Sequence, residues 1–231
     1  ENQSTCYIFF MDWLKSESES LFRRIKKNPK NRIVIYFEDI IASRNSLDLT
    51  FLSKYVDLAV TFDQLDAAKY GLEYYPTFMS KLSEDENNIL QLSDACFFGA
   101  SKKRYSEIIR VFRYLTENEI ACDFGISRLN KGEVIYPGMS EIKYLIPYKK
   151  YIQHIYKTNC IVELIQEGSS GYTLRTWEAL LYGKKLLTNN PNILSAPFYN
   201  EAQFCYFSNP EDIDPNFVKN KDFKCPNTSC I

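Results

Sequence analysis

An α/β fold built as two Rossmann-like lobes is the class this sequence predicts, on three observations. Short apolar runs of strand length alternate with helix-periodic segments along the chain. The runs at 6–10, 33–37 and 58–62 lack polar alternation, the pattern of strands buried on both faces of a parallel sheet. A polar stretch at 83–88 (SEDENN) divides two such series and offers nothing apolar to bury, so it is the best linker candidate.

Taken in order, 6–10 (CYIFF) is the first strand. Residues 13–27 follow with Trp13, Leu14, Leu21, Phe22 and Ile25 on one helical face, closed by Asn28-Pro29. The return to a strand at 33–37 makes this a βαβ unit, which favours a parallel sheet with right-handed crossovers. After the polar stretch come a strand at 95–98, a helix at 106–118 and a strand at 121–126. A helix around 147–156, a strand at 161–165, a helix after Gly171 and a strand at 185–187 complete the series, with 204–207 as a further edge. From Asn209 onward the chain is rich in Pro, Asn, Asp and Lys with no periodic apolar face, and is predicted irregular. The expected organisation is a short first lobe at 1–85, a second at 86–208 and a tail at 209–231, with the two sheets facing a cleft.

A chain of 231 residues, 45% of them hydrophobic, has material for real cores in one large domain or two modest ones. Its formal net charge is −1, and no Lys- or Arg-dominated stretch suggests a nucleic-acid groove or a firm membrane patch. Small neutral or anionic ligands are the expected partners. No apolar run approaches bilayer-spanning length and no secretory signal opens the chain, so the expectation is a soluble, cytoplasmic protein. The start at Glu1 suggests a processed or trimmed piece.

Of the seven cysteines, Cys6, Cys96, Cys122, Cys160 and Cys205 lie in apolar, strand-like stretches, which suits free thiols of a reducing compartment. Cys225 and Cys230 form a C-x4-C without a second ligand pair, and the single histidine, His154, is distant in sequence, so no metal is expected. The flanks of His154 give it a structural reading. Asn2 and Asn227 begin glycosylation sequons, a pattern short enough to arise by chance.

In open α/β sheets ligands settle at the carboxyl ends of strands. The richest such junction is 167–190 (EGSSGYTLRTWEALLYGKKLLTNN). A helix N-terminus there carries unsatisfied N–H groups and a partial positive charge, and Gly168 and Gly171 permit close backbone approach. Ser170 or Thr173 can cap the helix, Arg175 can reach a phosphate, and Glu178 can accept hydrogen bonds from vicinal hydroxyls. The plainer account is an Arg175–Glu178 pair on the helix surface. Glu167 and Ser169 complete the candidate cradle. A second junction, 98–104, leads through Gly99 and a hydroxyl to two lysines and Arg104, or is an ordinary turn with a solvated basic helix start. At a third, Asn189 and Asn190 can read sugar hydroxyls, or simply form a turn. In the first lobe, Asp63, Asp66 and Glu38 sit near strand ends as candidate general bases, with Asp39 beside Glu38 an equal contender there. The plainer account is that Asp63 caps the next helix and Asp66 stays solvated.

The phrases FFGASKKR at 97–104, YIQHIYKTNCIVE at 151–163 and GYTLRTWEALLYGKKLLTNN at 171–190 resemble the second lobe of bacterial GT-B glycosyltransferases of capsule and lipopolysaccharide biosynthesis. TFDQLDAAKY at 61–70 resembles part of their first lobe. The resemblance implies a nucleotide-sugar donor held mainly by the second lobe and a glycan or lipid-linked acceptor held mainly by the first. It places Gly99 and Arg104 near the donor phosphates, Thr173 and Arg175 at the pyrophosphate and Glu178 on the ribose. Such enzymes need no divalent metal, because a helix dipole and basic side chains offset the leaving diphosphate's charge. No cofactor beyond the donor itself is expected, and peripheral membrane association is compatible with such an acceptor. The expected activity is therefore sugar transfer by direct displacement or front-face substitution. A non-catalytic nucleotide- or sugar-binding module of the same descent is the alternative.

Overall fold

The computed structural model describes residues 3–11, 14, 18–41, 49–50, 52–144 and 146–222. The expectations placed on Trp13, Cys225, Cys230 and the sequons at Asn2 and Asn227 lie outside those residues. The chain divides into two compact units, Glu1–Phe78 with Gly168–Tyr172, and Met79–Glu167 with Thr173–Ile231.

The first unit holds a wholly parallel sheet in the order β1 (Cys6–Phe10), β2 (Arg32–Phe37), β3 (Leu58–Thr61), β4 (Glu73–Tyr74). Each crossover steps one strand in the same direction, so right-handed connections carry α1 (Ser18–Ile25), α2 (Leu52–Tyr55) and α3 (Gln64–Tyr70) to one face. The core reflects this: Phe22 and Ile25 of α1 and Tyr55 of α2 pack against Ile33, Ile35 and Phe37 of β2. Asp63 caps α3 by accepting from the backbone N–H groups of Leu65 and Asp66, and Gly71 closes it at φ +64°, a conformation that favours glycine.

The second unit has six parallel strands in the order β10-β9-β8-β5-β6-β7. These are β5 (Ser93–Ala100), β6 (Cys122–Ser127), β7 (Met139–Ile142), β8 (Thr158–Glu163), β9 (Lys185–Thr188) and β10 (Phe204–Tyr206). From β5 the chain winds outward through β6 and β7; it then returns to the other side of β5 and winds the opposite way. The order thus reverses between β5 and β8, which is where ligands bind in doubly wound sheets. On one face α4 (Tyr105–Glu117) buries Ile108, Val111, Phe112 and Leu115 against Phe97, Phe124, Ile126 and Val162. The helices α5 (Tyr148–Lys157) and α6 (Leu174–Tyr182) contact β5, β8 and β9.

Two segments differ from expectation. Residues 83–88 are bonded to α5: the Asp85 N–H donates to Gln153 Oε1 at 2.7 Å and the Asn88 amide donates to the Gln153 carbonyl at 3.0 Å. The stretch lies within the second unit, held to α5 by polar groups in place of apolar ones. Residues 210–219 are structured too, as a 3-10 turn at Pro210–Asp212 and α7 (Pro215–Lys219), each opened by an Asn or Asp cap before proline. They bury Ile213 and Val218 in the core. Lys185 on β9 holds α7 in place, its buried ammonium donating to the carbonyls of Phe217 and Asn220, both at 2.6 Å.

The five described cysteines are free. Burial pushes the Cys122 thiol up to about 12 and holds Cys160 protonated, so neither offers a thiolate. Among the described residues no helix is long and apolar enough to cross a membrane, and no cluster of His, Cys, Asp and Glu has metal-site geometry.

Candidate functional site

At the start of α6 the second unit opens a pocket of about 210 Å³ lined by Phe98, Tyr148, Tyr151, Leu174, Arg175 and Glu178. Phe98 comes from the carboxyl half of β5, the two tyrosines from α5, and the last three from the first turns of α6. The ring of Phe98 meets Tyr151 edge-on at 5.9 Å, and Tyr148 lies 6.0 Å from Tyr151. The walls are therefore mainly aromatic, with one cation and one carboxyl group.

Arg175 and Glu178 do not sit on the helix surface. The Arg175 guanidinium donates to the Phe98 carbonyl and lies over the Phe97 ring at 5.4 Å, while its Nε is buried. Room for it comes from Gly99, where a Cβ would stand 3.2 Å from the guanidinium and 3.0 Å from the Phe97 ring. Glu178 is 1% exposed and accepts from the Tyr151 hydroxyl at 2.8 Å. Burial raises its pKa above the ordinary carboxylate range, and the Tyr151 hydrogen bond and the Arg175 charge only partly offset this.

The N-terminus of α6 already has a side-chain carboxyl group beside it, and sequence reasoning missed it. Glu163, at the end of β8, is fully buried and accepts from three hydroxyls: Thr173 at 2.5 Å, Thr176 at 2.9 Å and Thr188. Thr173 caps the helix by accepting from the Arg175 N–H, and Glu163 holds that cap in place. The available signal was a carboxylate inside an apolar strand (IVELI), which demands buried donors.

The other junction residues of this unit are bound to backbone and side chains near the strand ends. Arg104 donates to the carbonyls of Leu164 and, at 3.0 Å, Ala100, which ties the ends of β8 and β5 together where the strand order reverses. Lys102 reaches Gln166 at 3.1 Å. Asn189 accepts from the Ile165 N–H at 2.8 Å and donates to Glu107 at 2.9 Å. Asn190 is fully buried and caps the 3-10 turn at Pro191–Ser195 by accepting from the Asn192 N–H. Glu167 is exposed. His154 accepts or donates at Nδ1 to Asp123 at 2.6 Å and packs on Phe98 at 4.4 Å, supporting the pocket wall from behind.

In the first unit the glycine and serine loop is organised around Asp63. Its carboxylate accepts from the N–H groups of Ser170 and Gly171 at 2.7 and 2.8 Å and from the Ser170 hydroxyl at 3.1 Å, with Ser169 at 3.4 Å, in addition to capping α3. The anion at this loop is thus a side chain of the protein. Gly171 is required by packing, since a Cβ would stand 2.6 Å from the Phe62 carbonyl oxygen; Gly168 adopts φ +82°. Asp63 is fully buried, and these donors hold its pKa below the usual range despite burial. Asp66 is buried, not solvated, and accepts from the Ile41 N–H at 2.7 Å; burial lifts its pKa. Glu38 is exposed at the end of β2, and partial desolvation with Asp39 beside it lifts its pKa as well.

No family model and no curated protein matches the chain. Solved structures do. The DNA-modifying enzyme β-glucosyltransferase, determined with and without its substrate uridine diphosphoglucose, aligns over 94% of this chain and 88% of its own at 11% identity and a TM-score of 0.51. The likeness is one of fold. A glycosylation-associated protein complex (Gap123) of Streptococcus agalactiae aligns at 10% identity and TM-score 0.47, and the glycosyltransferase of kitacinnamycin at 7% and 0.41. This chain spans 47% of the first of these two and 88% of the second.

Proposed function

We propose that the protein is a glycosyltransferase of the GT-B kind, moving a sugar from a nucleotide donor to a glycan or lipid-linked acceptor in surface polysaccharide biosynthesis. The observation that carries the reading is the aromatic pocket at the start of α6. It stands by the reversal of strand order, presents rings to stack a nucleobase, and brings Arg175 and Glu178 to one place. The fold likeness to an enzyme whose substrate is uridine diphosphoglucose supports it.

In this reading Glu178 accepts hydrogen bonds from ribose or base, and Arg175, braced on the Phe98 carbonyl, faces the diphosphate. Gly99 is the clearance that lets the guanidinium in, and Arg104 keeps the strand ends of the site together. The charge of the leaving diphosphate is offset by Arg175 and neighbouring cations, without a metal. Of the candidate bases, Glu38 is the exposed one, whereas Asp39, Asp63 and Asp66 accept from backbone N–H groups, and desolvation raises the Glu38 pKa above the ordinary glutamate range. In such a transfer the acceptor hydroxyl gives its proton to a carboxylate base as its oxygen bonds to the anomeric carbon, and the nucleotide departs with the electron pair of the broken bond.

The test is release of the nucleotide from its sugar, a nucleoside diphosphate from UDP, GDP or dTDP sugars and CMP from CMP sugars, after thermal-shift screening of all four, since a bound donor raises apparent stability by mass action. Arg175→Ala and Glu178→Ala should each weaken donor binding by about 1–3 kcal/mol; unchanged affinity in both would move the donor elsewhere. One observation favours a second reading, a binding module without turnover: Asp63 and Asp66 are both committed to backbone N–H groups. Donor binding with no nucleotide release under any acceptor, in wild type as in Glu38→Gln, would select it.

A further inference from the structure

The carboxyl end of the first unit's sheet carries rings that the core does not use. Tyr75 and Phe78 stack at 5.0 Å with 29° between their planes, and they are 50% and 66% exposed. Beneath them Tyr36 is buried, 5.5 Å from Phe78, and Phe10, 43% exposed, meets Tyr36 edge-on at 6.1 Å. The platform is held in place. The Tyr75 N–H donates to the Thr61 carbonyl at 2.9 Å, and Pro76 fixes one φ of the short segment between Tyr75 and Phe78. The rim is polar: Thr77 and the Glu38 carboxylate lie beside the Tyr36 hydroxyl, with Tyr74 next to them.

Flat, half-exposed rings with carboxylate and hydroxyl groups at their edge match one ligand chemistry closely. A pyranose offers an apolar face of C–H groups to a ring and a girdle of hydroxyls to acceptors and donors. A lipid surface would call for cations at the rim, where Glu38 and Asp39 stand instead. We propose that Tyr75 and Phe78 form a stacking platform for a saccharide ring in the first unit, with Glu38 and the neighbouring hydroxyls reading its hydroxyl groups. Calling that saccharide the acceptor rests on the transferase reading above; the stacking does not.

The probes are the methyl β-glycosides of glucose, galactose and N-acetylglucosamine with cellotriose and chitotriose, followed by saturation-transfer NMR and titration in the absence of nucleotide. UDP binding is measured separately as the report on the α6 pocket. At least one saccharide should bind, and Phe78→Ala and Tyr75→Ala should each weaken it by about three- to tenfold, with Phe78→Trp restoring it. UDP affinity should be unchanged in all three. Both substituted side chains are half-exposed or more, and far-ultraviolet circular dichroism checks that the variants fold. No binding of any of the five saccharides, or equal binding by the alanine variants, overturns the proposal and leaves the donor reading standing. So does a concentration-dependent dimer that Phe78→Ala dissociates, because the rings would then be a contact between copies of the chain. Loss of UDP binding by wild type with saccharide binding intact would instead sink the transferase reading alone.

Discussion

Asp63 and Glu178 are two buried carboxyl groups whose surroundings push them in opposite directions, and each direction has a measurable sign. Asp63 is held low by its donors, so its contribution to stability is fully present above the ordinary carboxylate range and is lost as pH falls through the lower, folded value. Asp63→Asn should therefore cost about 1–3 kcal/mol at neutral pH and flatten the acid limb of the stability curve, checked by urea unfolding across a pH series. Glu178 is raised by burial, so the folded state prefers its proton and stability falls as pH climbs from the ordinary value to the folded one. Glu178→Gln should raise the melting temperature at neutral pH while weakening nucleotide binding; a fall in both would mean the carboxylate is needed for folding. The residue types at these positions were legible in the sequence as functional candidates, but their partners were not. Whether Asp63 faces a ligand or a loop more than a hundred positions away is a tertiary fact, and Glu163 escaped notice because its three threonines come from two further elements.

At the scale of elements, the helix α6 shows which signals a sequence carries well. Thr173 at its start and Gly183 at φ +62° past its end mark its limits by cap chemistry alone. Thr173→Ala removes a cap and one of the three hydroxyls that donate to the buried Glu163, and should cost about 1 kcal/mol or more in unfolding experiments. Gly171→Ala should destabilise the first unit by about 2 kcal/mol or more, because the added methyl meets the Phe62 carbonyl. Elements without strong signals were missed. Strand β4 is two exposed residues, and β7 (MSEI) has two exposed polar residues at its centre, so neither has the apolar run that marks a buried strand. The segments 83–88 and 210–219 look like linker and tail by composition, yet one is bonded to Gln153 and the other is anchored by Ile213 and Val218 in the core and by Lys185. Composition registers how many apolar groups a segment has, not whether a few of them find a site.

For the whole molecule, the parallel α/β class follows from the alternation of apolar runs and helix periods, and the two sheets are wound differently. The second unit winds both ways from β5 and so builds a core and a strand-order reversal of its own; the first winds one way only. All six pocket residues belong to the second unit. A fragment of residues 79–222 should consequently fold with an α/β circular-dichroism spectrum and bind the same nucleotide as the full chain. An unfolded fragment, or a folded one blind to nucleotide, would mean the pocket depends on the rest of the protein.

Lys185 gives the chain a directional weakness. Burial of its ammonium in the sheet lowers its pKa, and the carbonyls of Phe217 and Asn220 to which it donates both lie downstream, in α7 and the residue that follows it. Cutting the chain back past Pro215 would take two hydrogen-bond acceptors from a buried ammonium, and the damage would spread to β9 rather than stay at the trimmed end. Purification tags and fusions therefore belong beyond that helix, never in its place.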